Sequence, residues 1–221
     1  MSKIAVILLL ALSFFPTCRD NVRFECPQPD GVRNLNRFPL KVCGQYLNST
    51  DSSMLFITDK MMYAVYSAGF RAAILDIDTS KDMRLVNDSL YLSDLNLSLK
   101  VNRQGDSVSG YHMFKDTLFL FSDRHVLRKC NGHFLLNHKQ QDSLWSVQVL
   151  SLKNGRLSVK AINSSHDIER IRQITNVESV TDSSGAVVNY KLSPSRRDLR
   201  KMIAGYMFTK GDDFLKVKSS K

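Results

Sequence analysis

The sequence predicts a mainly β protein: an antiparallel meander forming a sandwich or an up-and-down barrel, with two short helices near the C-terminus. Short apolar runs separated by turn residues recur at near-regular spacing from residue 42 onward. Two Asn-Gly pairs, at 131–132 and 154–155, favour two-residue hairpin turns. Residues 156–162 alternate apolar and polar side chains, which is typical of a strand with one buried face. The 221 residues, of which 43% are apolar and 24% charged, are ordinary for a globular chain and exclude collagen-like, disordered and polytopic membrane proteins.

The N-terminus has the pattern of an export signal. Lys3 is followed by an uncharged apolar run over residues 4–15, which is shorter than the roughly 20 residues needed to span a bilayer. Cys18 follows almost directly and resembles the lipid-modified first residue of a mature bacterial lipoprotein. Residues 1–17 are therefore predicted to be a signal peptide and Cys18 a lipid attachment site. Two alternatives stay open: plain secretion with an incidental cysteine, and an uncleaved anchor.

The segment after Cys18 is polar and contains three prolines. Residues 18–41 are therefore predicted to be an extended tether. It leads into a single β-rich domain over residues 42–221, in which an α+β appendage starts at about residue 164.

The predicted strands follow from apolar runs between turn residues. They cover residues 42–48, 54–58, 61–67, 71–77, 89–95, 97–102, 107–114, 117–122, 126–130, 133–137, 144–152, 156–162, 177–181, 186–192, 206–209 and 214–218.

Two helices are predicted in the appendage. Ser165 is expected to cap the first, along which isoleucines recur at helical spacing. In the second, Ser193 is the expected N-cap, Pro194 the first helical residue and Gly205 the residue that ends the helix.

The four cysteines show no CxxC pair and no spacing typical of a zinc site. If Cys18 carries lipid, at most one disulfide forms among the other three. A bridge between Cys26 and Cys43 would close a short loop, whereas a small buried apolar role is the commoner one for such cysteines.

Two segments and the leader carry a family resemblance. They are residues 27–60 (PQPDGVRNLNRFPLKVCGQYLNSTDSSMLFITDK) and residues 192–208 (LSPSRRDLRKMIAGYMF). With Cys18 after the apolar run, the chain resembles a family of cell-envelope lipoproteins of unknown activity from Bacteroidota. The resemblance implies a lipid-anchored protein of the cell envelope, at the outer membrane rather than the inner one. It supplies no functional residues.

Four triplets of Asp, a hydroxyl residue and an aliphatic residue are similar to the O-glycan acceptor pattern of the same phylum. Their hydroxyl residues are Ser89, Ser107, Thr117 and Ser143. The alternative explanation is turn chemistry, because Asp and Ser or Thr end turns and aliphatic residues begin strands.

Positive charge is concentrated near the C-terminus, where residues 191–221 hold 9 basic and 3 acidic residues. Arg196, Arg197, Arg200 and Lys201 on the second helix are predicted to contact an anionic surface, such as lipid headgroups or an acidic envelope polymer. The alternative is an ordinary solvated helix face. Nucleic acid is not an expected partner of an exported chain.

A cluster of possible metal ligands lies in the segment HVLRKCNGHFLLNH. If 131–132 is a two-residue turn, Cys130 lies opposite His133 and His125 lies opposite His138. Positions 125 and 130 differ by an odd number, so the two pairs leave opposite faces of the sheet. Each pair is too small for a structural zinc site, and no metal or other cofactor is predicted.

The sequence lacks the motifs HExxH, GxSxG, GxGxxG and the P-loop. Asp76 and Asp78 are expected on one strand face, as an acid pair or as solvated turn residues. The leading hypothesis is a membrane-held binding or structural module. The alternatives are an envelope hydrolase acting on glycan or lipid, and a lipocalin-like carrier with Gly44 and Tyr46 at the head of its meander.

Overall fold

The computed structural model describes residues 22–141 and 143–217. It confirms the predicted fold class: the protein is mostly β, with 53% of residues in strands, a mixed sheet and short helices. The path of paired strands is not closed.

The chain divides into two compact units, where a single domain over residues 42–221 was expected. The smaller unit is Tyr66–Phe114, and the larger comprises residues 22–65 and 115–217. Two long strands have residues in both units.

The strands are β1 (Val22–Phe24), β2 (Gly44–Asn48), β3 (Met54–Ile57), β4 (Met61–Ala73), β5 (Met83–Val86), β6 (Ser89–Leu92), β7 (Leu97–Gln104), β8 (Ser107–Leu120), β9 (His125–Cys130), β10 (His133–Lys139), β11 (Trp145–Lys153), β12 (Arg156–Ala161), β13 (Val177–Thr181), β14 (Val187–Leu192) and β15 (Lys210–Lys216). The α-helices are α1 (Ile74–Asp78), α2 (Ser164–Arg172) and α3 (Arg196–Ala204), and 3₁₀ turns cover Leu40–Val42 and Ser93–Leu95.

The larger unit is an antiparallel sheet with one parallel pair. Its strand order is β13-β14-β1-β11-β12-β15-β2-β3-β4, and β10 also pairs with β11 and with β9. The parallel pair joins β1 to β14, with Val22 beside Tyr190. In the smaller unit the order is β4-β8-β7-β6-β5.

The larger unit has two hydrophobic cores, one on each face of strands β9 to β11. Adjacent residues of β10 enter different cores: Leu135 packs with Trp145 and Leu199, whereas Leu136 packs with Tyr46 and other residues of the second core. Because both faces are covered, β10 carries the unbroken apolar run FLL instead of an alternating pattern.

The predicted tether over residues 18–41 is wrong for the part that the structure describes. Val22–Phe24 is a strand between β14 and β11. Leu35 bridges to Leu127, and Phe38 is completely buried. The polar and proline-rich composition hid these few apolar residues, whose partners lie far along the sequence.

A buried asparagine holds this N-terminal segment against the sheet. The Oδ1 atom of Asn137 accepts a hydrogen bond of 2.6 Å from the backbone N–H of Gln28. Its Nδ2 atom lies 3.0 Å from the carbonyl oxygen of Gln28, 3.0 Å from that of Val126 and 3.1 Å from that of Leu135. Asn137 is fully buried, so water does not reach these contacts. Its amide therefore supplies the hydrogen-bond partners that the backbone of Gln28 would otherwise lack in a proline-rich segment without strand pairing.

Arg128 of β9 makes a second connection to the same segment. Its guanidinium donates to the carbonyl oxygens of Pro27 and Pro29, the latter at 2.8 Å, and to Oδ1 of Asn34 at 2.7 Å. Residues 27–34 are thus held by side chains of the sheet and not by strand pairing.

The caps of the two late helices differ from the predicted ones. Helix α2 has Asn163 as its N-cap, not Ser165. Helix α3 is capped by Ser195, which forms a capping box with Asp198, and it ends before Gly205 as predicted. Ser193, the predicted cap, instead donates a hydrogen bond to Glu25.

The smaller unit departs from the predicted strand pattern at residues 71–77. The strand β4 ends at Ala73, and Ile74–Asp78 forms a short helix whose first N–H bonds to the carbonyl oxygen of Asp106 at 2.8 Å. Ile77 thereby enters a small core with Met83 and Val108. Strand β5, also unpredicted, supplies Met83.

We expect Asn137→Ala to lower the free energy of unfolding by about 3 kcal/mol, because it leaves the buried N–H of Gln28 without an acceptor. Urea denaturation followed by far-UV circular dichroism measures this. The exposed Asn36→Ala is the matched control and should change stability by less than about 0.5 kcal/mol. Equal effects of the two substitutions would contradict the assigned role of Asn137.

Candidate functional site

The predicted lipid attachment site, Cys18, lies outside the described residues. The described chain begins in strand β1 at Val22. Four residues of fully extended chain span about 14 Å, which limits the distance between the Cα atoms of Cys18 and Val22.

Strand registers show how β1 is directed within the larger unit. Phe24 lies opposite Trp145 in the antiparallel pair of β1 and β11, so Val22, the first described residue, is the residue of β1 nearest to the C-terminal end of β11. The turns at 131–132 and 154–155 lie at that end, because Cys130 pairs with His133 and Lys153 pairs with Arg156. We call this the hairpin end of the larger unit.

The four predicted cationic residues of helix α3 have different surroundings. Arg196 donates to the carbonyl oxygens of Asp30 at 2.8 Å and Gly31 at 2.6 Å, so it ties α3 to the N-terminal segment. Arg200 is exposed and close enough to Cys130 to hydrogen bond with the thiol, at the hairpin end. Arg197 and Lys201 are exposed and form no ion pair with the residues that the structure describes.

The predicted glycan acceptors are not equally accessible. Thr117 and Ser143 are exposed, whereas Ser89 and Ser107 are half-buried. The hydroxyl of Ser107 accepts from Arg71 at 3.0 Å and donates to the carbonyl oxygen of Gln104 at 3.2 Å. Thr117 lies within β8, so a turn does not explain its triplet.

The predicted pairing of the histidine hairpin is confirmed. Cys130 lies opposite His133, and His125 lies opposite His138. The rings of His125 and His138 have centroids 5.2 Å apart, and both contact the ring of Phe119. Within residues 22–141 and 143–217, no three His, Cys, Asp or Glu side chains come together as a metal site.

His138 is held in its neutral form. Burial lowers its pKa to about 4, the nearby His125 contributes in the same direction, and a hydrogen bond with Gln148 opposes them. Its Nε2 atom is shielded from solvent and has no hydrogen-bond partner among the described residues. A charge on this ring would therefore be costly beside the second core.

The second histidine of the hairpin contacts a serine. Nδ1 of His133 lies 2.5 Å from Oγ of Ser151 on the adjacent strand, and burial lowers the pKa of His133. A neutral imidazole next to a hydroxyl is the minimum that general-base activation of a serine requires. No local pattern in the sequence predicts this pair, because the two residues lie 18 positions apart.

The described cysteines are free thiols, so the bridge between Cys26 and Cys43 is absent. Burial raises the pKa of Cys26, Cys43 and Cys130, the last against an opposing effect of Arg200. Their thiolate forms are disfavoured, which suits packing and not nucleophilic chemistry.

The expected acid pair is not on a strand face: Asp76 and Asp78 lie in the short helix α1. A different acid, Asp167, is fully buried. It accepts hydrogen bonds from the backbone N–H of Asn163 at 2.9 Å and from Thr209 at 2.7 Å, and lies 3.0 Å from Nδ1 of His166. These contacts close the first turn of α2, a structural role.

Tyr46, expected at the head of the meander of a lipocalin-like carrier, is a core residue. It is fully buried, and its hydroxyl donates to the carbonyl oxygen of Val42 at 2.8 Å. Burial raises its pKa to about 12. Gly44 has a positive φ of 147°. A Cβ atom added at this position would lie 3.1 Å from Cε of Lys216, so any residue with a side chain would be strained here.

Across the described chain, no helix has the length and apolar character needed to cross a bilayer. No known protein family, curated protein or solved structure matches the chain.

We expect stability to fall as the pH decreases from about 6.5 toward 4. The unfolded chain takes up a proton on His138 in this range, while the folded chain does not, which costs up to about 3 kcal/mol. Urea midpoints measured between pH 7 and 4.5 should decrease, and His138→Gln should flatten the dependence.

His112→Gln is the control for the loss of a histidine as such, and its urea midpoints are measured over the same pH range. The series stops at pH 4.5 because Lys191 and Ser193 lower the pKa of Glu25. This carboxylate therefore changes the pH dependence of stability only at lower pH, where carboxyl groups begin to take up protons. An unchanged slope in His138→Gln would contradict the assignment.

Proposed function

We propose that this chain is an exported cell-envelope lipoprotein whose β body acts as a binding or structural module at the membrane surface. Support comes from the apolar leader, the position of Cys18 and the resemblance to envelope lipoproteins. The partners we propose are membrane lipid through the anchor and anionic headgroups or envelope polymer.

The observation that carries the proposal is the early start of the folded body. Strand β1 begins at Val22, four residues after Cys18. A lipid on Cys18 would hold the larger unit within about 14 Å of the membrane surface, instead of on a long tether. Such an arrangement suits a module that works in contact with the bilayer.

We expect Cys18→Ala to move the full-length protein from the membrane fraction to the soluble fraction, because the acyl chains would have no attachment site. Membranes should be washed in high salt, so that electrostatic adsorption does not contribute. Cys26→Ala is the matched control and should stay in the membrane fraction. Mass spectrometry of the mature N-terminus should find acylated Cys18; an unacylated chain starting at Met1 would refute the proposal.

A second candidate, an envelope hydrolase, is favoured by the contact between Ser151 and His133. In that function Ser151 would attack the carbonyl carbon of an ester on lipid or glycan while His133 takes its proton. The ester C–O bond would break, His133 would return the proton to the departing alcohol, and water would then hydrolyse the acyl-serine. The half-buried position of both residues on a sheet face does not itself define a substrate cleft.

Under this second candidate, a fluorophosphonate probe should label Ser151, and His133→Gln should reduce labelling by about tenfold or more. Ser158→Ala, on the neighbouring strand, is the control and should label normally. Absence of probe on Ser151 would leave the binding or structural module as the only candidate.

A further inference from the structure

The hairpin end of the larger unit is rich in positive charge. Lys129 lies beside the turn at 131–132, and Lys153 and Arg156 flank the turn at 154–155. The end of β15 meets them there, because the N–H of Lys216 donates to the carbonyl oxygen of Gly155 at 2.9 Å. All four side chains are exposed.

The 3₁₀ turn Leu40–Val42 lies at the same end. It directly precedes β2, whose residue Tyr46 pairs with Lys216. Nζ of Lys41 lies 5.2 Å from the ring centroid of Phe134, the second residue of β10. Lys41 therefore joins the cations of the hairpin turns.

The turn between β3 and β4 completes this surface. The N–H of Phe38 donates to the carbonyl oxygen of Asp59 at 2.9 Å, which places the turn next to the 3₁₀ turn. Lys60 is exposed there, and Asp59 is the acidic residue of this turn. We call the combined set the basic rim; it consists of Lys41, Lys60, Lys129, Lys153, Arg156 and Lys216.

The opposite end of the same sheet does not share this charge. Its turns carry Asp51 and Asp123 as well as Arg124 and Lys139, and the N–H of Lys139 donates to the carbonyl oxygen of Arg124 at 2.8 Å. The turns of the opposite end therefore show no excess of cations like that of the hairpin end.

Leu40 is the most exposed apolar side chain among the cations of the rim. Leu40 is 86% exposed, the highest value among the large hydrophobic residues that the structure describes. It lies next to Lys41 in the 3₁₀ turn. Folding alone gives no reason to place a leucine in water at this position, whereas insertion below lipid headgroups would remove it from water.

We propose that the basic rim and Leu40 form a second membrane contact, which docks the larger unit end-on against anionic headgroups. The proposal rests on the lipid anchor proposed above, which supplies the membrane. Val22 is the residue of β1 nearest to the hairpin end and follows Cys18 by four residues, so a lipid on Cys18 and the rim can face one bilayer. Cations near an anionic leaflet add to the binding given by acyl chains.

The chemistry of the rim favours a bilayer over a soluble polyanion. Lysines and an arginine would attract either one, because both present negative charge. A bare leucine gains nothing from an acidic polysaccharide, but it gains a nonpolar environment from acyl chains. Leu40 is thus the residue whose chemistry favours a bilayer over a soluble polyanion as the partner.

The test uses the full chain with Cys18→Ala, so that acylation does not contribute, and vesicles of phosphatidylcholine alone or with about 30 mol% phosphatidylglycerol. Any binding by the apolar leader is common to all variants. We expect at least about tenfold tighter binding to the anionic vesicles, with the preference lost in about 0.5 M salt. No preference for anionic vesicles would overturn the proposal and leave the anchor intact, since acylation is measured separately.

Charge variants locate the contact. The double variant Lys153→Gln and Arg156→Gln should weaken binding to anionic vesicles about fivefold or more. The control removes the same charge at the opposite end, with Arg124→Gln and Lys139→Gln, and should stay within about twofold of the parent chain. Equal losses would show that net charge alone drives binding, which would overturn the proposal.

The apolar contribution is tested separately. Leu40→Ser should weaken binding to anionic vesicles, while Leu75→Ser, at a residue 73% exposed in the smaller unit, should not. Far-UV circular dichroism confirms that each variant is folded. If Leu40→Ser has no effect and heparin competes fully with vesicles, the rim binds acidic glycan and the membrane proposal is wrong.

Discussion

The buried amide of Asn137 is the contact on which the arrangement of the N-terminus depends. Residues 25–31 contain two prolines and form no strand, so their backbone groups need side-chain partners. Asn137 supplies an acceptor and a donor to Gln28, and Arg128 supplies donors to the neighbouring carbonyl groups. A segment with the composition of a linker is thereby made part of the folded body.

This packing has a direct consequence for the membrane. If the segment were a free tether, a lipid on Cys18 would leave the body tens of ångströms from the bilayer, in any orientation. With β1 starting at Val22, only four residues separate the proposed lipid site at Cys18 from the folded body. The orientation of the surface next to the bilayer then matters, and its cations and Leu40 become candidates for contact.

Local sequence signals were sufficient where the structure depends on neighbouring residues. The Asn-Gly pairs correctly predicted both hairpins, since the positive φ angles of 47° at Asn131 and 50° at Asn154 are a local requirement. The pairing of His125 with His138, on the face opposite to Cys130, followed from counting residues across such a turn. The late helices were predicted for the same reason, although each N-cap lies two residues from its predicted position.

Other features depended on partners distant in sequence. Arg196 resembled one of several surface cations, but its guanidinium binds carbonyl groups more than 160 positions away. The division into two units at residues 66 and 115 left no compositional boundary, because β4 and β8 are continuous through it. The contact between Ser151 and His133 likewise exists only because β10 and β11 pair in one register.

By itself, the sequence determined the β class, the hairpin turns, the late helices and the apolar leader with its adjacent Cys18, because each depends on residues close together in the chain. Only the tertiary structure decided that residues 22–41 belong to the body and that cations from five separate segments meet at one end of the sheet. Strand register across the sheet brings those segments together, and register is set by the packing of both cores and not by any short stretch of sequence.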